Sequence, residues 1–334
     1  MPKIACLGAG SWGISISCYI AKKEPNLWLW EGLEANYKKL VELRQDPARL
    51  PGIILPSTVR IVNDLAEALL GAEVILFILP SHTIEEVAIK VAPLIKFKAL
   101  VVSLSKGLTK SQERISEVLG RILPPVARER IVVASGPSHA EEVAKGLPTA
   151  IVAASKNPIS AEAVQSLFSS STLRVYTNAD PLGVELAGAL KNVVAIACGV
   201  ADGLGFGDNT KGALLTRGLA EITRLGIKMG AKAETFAGLA GMGDLITTGI
   251  SRHSRNRHVG ERIGKGEKLD EILSKMVMVA EGVNTTKAAV SLAQKYSVEI
   301  PITQKVYEML FEDKPAALAL KELMERELKT EVWH

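Results

Sequence analysis

The hexapeptide Gly8-Ala9-Gly10-Ser11-Trp12-Gly13 directly follows a short apolar run, Ile4–Leu7, and opens a helical stretch, Trp12–Lys22. No other feature restricts the fold as much. In a strand–turn–helix unit the first glycine allows the tight turn and the second lets a pyrophosphate approach the backbone. The third lets helix and sheet pack closely. The helix start adds unpaired N–H groups and a partial positive charge for phosphates. Without its flanks the pattern is only a turn that needs glycines. With them it predicts a dinucleotide site at Gly8, Gly10 and Gly13. A second run, Leu27–Trp30, ends at Glu31, about 20 residues on, where an acidic residue takes the ribose hydroxyls of NAD. Its charge repels the 2′-phosphate of NADP, and the next cation along the chain is Lys38. The alternative is a solvated strand-end glutamate; the charge argument favours NAD.

Further apolar runs follow at Val74–Leu79, Leu100–Ser103, Ile131–Ala134, Ala150–Ala154 and Arg174–Thr177, with helical stretches such as Leu33–Leu43 and Ile84–Ala92 between strands. Short, nearly continuous apolar strands alternating with helices predict a parallel, doubly wound α/β sheet of Rossmann type. The pattern changes at Asp180-Pro181, a helix-start signal. From there the spacing is helical, through a long apolar helix and later stretches at 212–225, 287–296, 303–311 and 316–328. The expected organisation is residues 1–180 as the NAD-binding domain and 181–334 as an all-α substrate-binding and catalytic domain.

Composition narrows the function classes. Hydrophobic residues at 47% and charged residues at 23% exclude disorder for most of the chain. A net charge of +4 and only 4% aromatic residues argue against a nucleic-acid partner. Cys6, Cys18 and Cys198 form no zinc pattern, so no metal site is expected, and unpaired thiols fit a reducing compartment. The N-terminus has no signal-peptide pattern, and apolar runs such as Val74–Pro80 are far below the ~18 residues of a membrane span. The expectation is a soluble cytoplasmic protein without membrane insertion.

Several polar groups sit where chemistry is expected. Lys106, in Ser103-Leu104-Ser105-Lys106-Gly107-Leu108, follows a strand end, where loops line a ligand crevice; spacing alone favours a surface lysine. Ser135-Gly136-Pro137-Ser138-His139-Ala140-Glu141 also follows a strand; Ser138 can cap a helix, and His139 reads as structural. Lys191-Asn192 lies among Leu186, Leu190, Val193, Val194 and Ile196. Desolvation there should lower the lysine pKa toward proton-transfer values, although a lysine can also snorkel. Asp244, in Gly241-Met242-Gly243-Asp244-Leu245, either holds an ammonium or caps a helix. The run Arg252–His258 is a solvated surface, a nucleic-acid patch or a clamp for one small phosphate, and the small net charge favours the last. Val279-Ala280-Glu281-Gly282 is an ordinary loop by its spacing.

Taken in order, Gly8–Gly13, Ser105–Leu108, Ser135–Ala140, Leu190–Val193, Asp202–Glu221, Gly241–Leu245, Ser254–Arg257 and Val279–Gly282 resemble NAD(P)-dependent glycerol-3-phosphate dehydrogenases of the soluble bacterial type. The resemblance spans nearly the whole chain. It implies interconversion of sn-glycerol 3-phosphate and dihydroxyacetone phosphate, with NAD(P)(H) as cofactor and the product feeding phospholipid synthesis. It implies Lys191 as the proton carrier, with Lys106 and Asp244 positioning it and the reacting oxygen. Gly136, Ser138 and Asn192 would contact substrate, and Ser254, Arg255 and Asn256 its phosphate. Ser11, Trp12, Lys106, Ala140, Arg255, Val279 and Glu281 would touch the cofactor. A homodimer is implied too. The family's NADP-using members carry a basic residue after the second strand; Trp30-Glu31-Gly32-Leu33 departs from that pattern. The alternatives are a related β-hydroxyacid or ketopantoate-type dehydrogenase, which needs a carboxylate site instead of a phosphate clamp, and a non-catalytic NAD-binding module.

Overall fold

The structure is a computed structural model of the 334-residue chain and describes residues 1–95 and 98–331. The predicted domains 1–180 and 181–334 therefore each include a few positions, 96–97 and 332–334, outside the described residues. Eight strands form one sheet: β1 (Ile4–Leu7), β2 (Leu27–Trp30), β3 (Arg60–Val62), β4 (Val74–Phe77), β5 (Leu100–Ser103), β6 (Ile131–Ser135), β7 (Thr149–Ala154) and β8 (Leu173–Asn178). Their spatial order is β3-β2-β1-β4-β5-β6-β7-β8.

Side chains alternate across the pleat and each face meets its own core. Ile4 and Cys6 pack with Ile14 and Ile16 of the helix Ser11–Ile20. Ala5 and Leu7 pack on the opposite face with Ile84, Val87, Ile115 and Val118. This two-sided burial is why the strands read as continuous apolar runs. Strand order reverses at β1, which pairs with β2 on one side and β4 on the other. Ligands of such sheets bind beyond the carboxyl ends of the strands at that switch point, where the glycine turn lies.

Two features differ from the expectation. The sheet is mixed, because β6 and β7 run antiparallel. A parallel return needs a crossover that spans the strand. The helix between them, Ala140–Ala144, has 5 residues, roughly 7 Å of rise, whereas β6, also 5 residues, extends roughly 17 Å. The chain therefore re-enters the sheet at the end it left. The edge strand β3 escaped the sequence reading because Arg-Ile-Val, with Arg60 exposed, is no apolar run.

No strand follows Asn178 among the described residues. The helix Pro181–Gly203 starts with Asp180, whose Oδ1 accepts from the Gly183 N–H at 2.9 Å. Its other oxygen accepts from Lys232 N and Thr235 Oγ1. The helix has 23 residues and is long and apolar enough to cross a membrane, yet its apolar central stretch is buried within the protein. The helices 208–228, 244–250, 255–264, 281–296 and 301–311 surround it, while Val184 packs on Val133 and Val152 of the sheet. A Cβ on Gly199 would lie 1.9 Å from Arg257 O, and one on Gly260 2.0 Å from Ile196 O. This backbone-to-backbone crossing brings the middle of the long helix beside the start of Arg255–Gly264.

Candidate active site

The glycine turn has the conformation its residues predict. Gly8 has φ +115°, a conformation open at little cost only to glycine. A Cβ on Gly13 would lie 1.8 Å from Gly8 O, so the helix enters against the turn. Around Gly10 a Cβ would meet nothing within 4 Å. Among the described residues no group fills that space, which leaves the backbone open to approach. Gly10 is also the N-cap and supplies no side-chain acceptor, which leaves the first N–H groups of the helix for phosphate oxygens. The residues present fit a dinucleotide pyrophosphate.

Glu31 is buried at the end of β2 and accepts from Leu33 N at 3.0 Å. Here the structure corrects the charge inventory made along the chain. Arg49, well beyond Lys38 in sequence, places its Nη1 3.3 Å from Glu31 Oε2 and 3.3 Å from Ala9 O. Ser11 donates to Arg49 O at 2.8 Å and also touches Met278. Trp12 packs partly buried against the sheet core.

Three side chains, Lys106, Lys191 and Thr248, meet at one carboxylate, Asp244. Asp244 begins the helix Asp244–Ile250 after a wide turn, Leu239–Gly243, and is buried. Its Oδ2 accepts from Lys106 Nζ at 2.8 Å, and its Oδ1 pairs with Lys191 Nζ at 3.0 Å. Thr248 Oγ1 accepts from Lys191 Nζ at 2.5 Å and donates to Asp244 Oδ1 at 3.3 Å. Thr248 was missed in the sequence, although it stands four residues after Asp244 and so shares its helix face. Burial raises the Asp244 pKa, but Lys106 and Lys191 outweigh it and hold the carboxyl below its ordinary value. Burial lowers Lys191 to about 8, helped by Lys106 and Arg255 and opposed by Asp244.

An ammonium has three N–H donors. Lys106 directs its donors to Asp244, to Gly136 O at 2.8 Å and to Ser138 Oγ at 3.3 Å. Lys191 uses two and keeps one without an acceptor among the described residues. The two lysines therefore differ: one is fully engaged, the other has a donor to offer. Gly136 has φ +142°, and Ser138 donates to its carbonyl at 2.9 Å. His139 Nε2 is buried without a partner among the described residues; burial, then Lys191 and Lys106, depress its pKa.

The basic run does not form one patch. Arg257 turns to Asp202, Nε to Oδ2 at 2.6 Å. Ser254 caps the helix Arg255–Gly264, accepting from Arg257 N at 3.2 Å. Arg255 is exposed and donates to Val279 O at 3.0 Å. Asn256 is buried: Nδ2 donates to Asn192 Oδ1 at 2.9 Å, and Oδ1 accepts from Gly282 N at 2.8 Å. It ties three helices together. Glu281 begins the helix Glu281–Tyr296 and reaches the first half of the chain, accepting from Ser81 N at 3.0 Å and Ser81 Oγ at 2.5 Å. Burial raises its pKa. Ala140 is buried and its carbonyl accepts from Ser15 Oγ at 2.8 Å.

Comparison with known proteins adds identity to this geometry. Residues 3–161 match the family model of the NAD-dependent glycerol-3-phosphate dehydrogenase N-terminus, and residues 180–321 that of its C-terminus. A glycerol-3-phosphate dehydrogenase [NAD(P)+] of Chlorobium phaeobacteroides (strain BS1) is 45% identical over 99% of both chains. One from Bacillus velezensis is 49% identical over 98% of this chain and 95% of its own. The crystal structure of glycerol-3-phosphate dehydrogenase from Coxiella burnetii superposes with a TM-score of 0.93 at 38% identity, covering 97% of this chain and 98% of that one. A ketopantoate reductase from Ralstonia eutropha shares the fold alone, at 13% identity and a TM-score of 0.62 over 96% of this chain and 99% of its own. With both family models matched and full-length relatives near half identity, the chain belongs to the NAD-dependent glycerol-3-phosphate dehydrogenase family.

Proposed function

We propose that this protein interconverts sn-glycerol 3-phosphate and dihydroxyacetone phosphate by hydride transfer with NAD(P)(H), supplying glycerol 3-phosphate for phospholipid synthesis. The observation that carries the mechanism is the Lys191–Asp244–Lys106–Thr248 cluster, with a single unspent ammonium donor. The nicotinamide, when bound, supplies or accepts the hydride. As C2 of the ketone is reduced its oxygen gains negative charge, and Lys191 stabilises that charge and donates the proton. In the reverse direction neutral Lys191 takes it back. A pKa of about 8 suits both tasks near neutrality. Asp244, kept ionised, holds both ammonium groups, and Lys106 fixes the loop of Gly136 and Ser138 against the substrate.

The phosphate takes no part in the chemistry and serves orientation. Arg255 and the first N–H groups of its helix hold it. Ser254 supports them by capping the helix, and Asn256 contributes its backbone N–H while its side chain positions Asn192. Gly8, Gly10, Ser11, Trp12 and Gly13 receive the pyrophosphate, Glu31 the adenosine ribose, and Lys106, Ala140, Arg255, Val279 and Glu281 border the nicotinamide half. This divides the chain near residue 180, where the sheet ends and the long helix begins: 1–180 for cofactor, 181–334 for substrate chemistry. The buried, unpaired Cys6, Cys18 and Cys198 are in keeping with a cytoplasmic location, and the family resemblance supports a homodimer.

The test is NADH oxidation on adding dihydroxyacetone phosphate, with unphosphorylated dihydroxyacetone as control. The expected outcome is turnover with the first and little with the second. Equal rates would remove the phosphate clamp from the mechanism.

A further inference from the structure

The loop between the helix Glu34–Leu43 and β3 lays a guanidinium over the carboxylate that was expected to exclude NADP. Arg49 stands on a turn fixed by Asp46, whose Oδ1 accepts from Ala48 N at 3.1 Å and Arg49 N at 3.2 Å. Leu50 is buried beside it, and Ser11 holds the Arg49 carbonyl from the glycine-turn side. The backbone is therefore anchored at both faces. The side chain is not. Its contacts to Glu31, Ala9 O and Asp46 Oδ2 are all long, at 3.3, 3.3 and 3.5 Å. None has the short parallel geometry of a committed guanidinium–carboxylate fork. Its Nη2 has no acceptor among the described residues, and the side chain keeps 19% exposure.

We infer that Arg49 is the residue that admits a 2′-phosphorylated adenosine, so that one pocket takes NAD through Glu31 and NADP through Arg49. This rests on placing the adenosine ribose against Glu31. A 2′-phosphate beside Glu31 alone meets only repulsion. Arg49 lies between Glu31 and Asp46, and Lys39 stands 4.0 Å from Asp46, so two cations offset the two carboxylates before the ligand arrives, and an arginine fork matches phosphate oxygens with parallel donors. Rotation about the side chain suffices to exchange the long carboxylate contact for a phosphate contact, because the turn that carries it stays in place. The arrangement fits this chain, which has Glu31 where a basic residue would otherwise serve the phosphate.

The test uses fragments, so that binding is read apart from turnover: calorimetric titration of the whole protein with adenosine 2′,5′-bisphosphate and with 5′-AMP. Wild type should bind both. Arg49→Ala should weaken the bisphosphate at least tenfold and AMP less than threefold. Arg49→Lys, which keeps the charge and loses the fork, should fall between and guards against a misfolded alanine variant. Glu31→Gln should tighten the bisphosphate and weaken AMP. Wild type that binds AMP but not the bisphosphate overturns the inference, as does Arg49→Ala that weakens both ligands equally. If neither the Glu31 nor the Arg49 variants move either ligand, the inference falls together with the placement of the ribose.

Discussion

Replacing Asp244 by Asn tests the centre of the mechanism, because one buried carboxylate serves two ammonium groups. The side chain keeps its shape and loses its charge. At the 3.0 Å separation of Lys191 and Asp244, an effective dielectric constant of about 20 gives an attraction of roughly 5 kcal/mol. The amide dipole and entering water replace part of it. Even half of that value, roughly 2.5 kcal/mol, is nearly two pKa units. The sign follows from which form the carboxylate favours: it supports the protonated lysine, so its loss lowers the Lys191 pKa below its native value of about 8. In the wild type, kcat/KM for ketone reduction should fall as pH rises through about 8, since Lys191 must be protonated, while alcohol oxidation should rise over the same range. In Asp244→Asn both inflections should move to lower pH by about two units. At pH 7 the protonated fraction of Lys191 should then drop about tenfold, and reduction by at least that factor. The assay is NADH absorbance in both directions across pH, with NADH affinity measured by fluorescence as a control for the fold. Inflections that stay near 8 in the variant would refute the reasoning, because the titrating group would then not be the lysine that Asp244 touches.

Two further variants address groups with smaller roles. Thr248→Val removes the hydroxyl that accepts from Lys191 and donates to Asp244; kcat should fall about tenfold, or ~1.4 kcal/mol, with NADH affinity unchanged, as seen by steady-state kinetics and fluorescence titration. Asn256→Ala leaves the Gly282 N–H without its acceptor and the Asn192 Oδ1 without its donor. At ~1–3 kcal/mol for each buried group, the urea midpoint should fall measurably and the KM for dihydroxyacetone phosphate should rise. An unchanged urea midpoint would mean that the three helices do not depend on this side chain.

The glycine turn, the alternating strands and the helical second half were legible because each is a local pattern: a turn needing φ > 0, a strand buried on both faces, a helix with apolar residues all round. The antiparallel return of β7 was not legible, because it depends on a helix too short to cross the sheet, and helix length is a poor reading from sequence. Lys106, Lys191 and Asp244 each stood out by their surroundings, yet each also allowed an ordinary explanation. Their meeting at 2.8 and 3.0 Å came only from the packed fold.

Asn256 shows the limit in the other direction. It lies within a run that suggests phosphate capture, and in the packed fold its carboxamide also bonds Asn192 and Gly282, a bracing contact that its place in the sequence does not show. Glu31 shows it again: along the chain the next cation is Lys38, while in space the neighbour is Arg49. The sequence by itself determined the dinucleotide turn, the change from sheet to helices near residue 180 and the residue types available for proton transfer, since backbone sterics and apolar periodicity act over a few residues. Only the tertiary structure decided which charges face one another. Coulomb interactions and hydrogen bonds depend on separations of a few ångströms, and those are set by helix crossings such as Gly199 on Gly260, far from the residues they bring together.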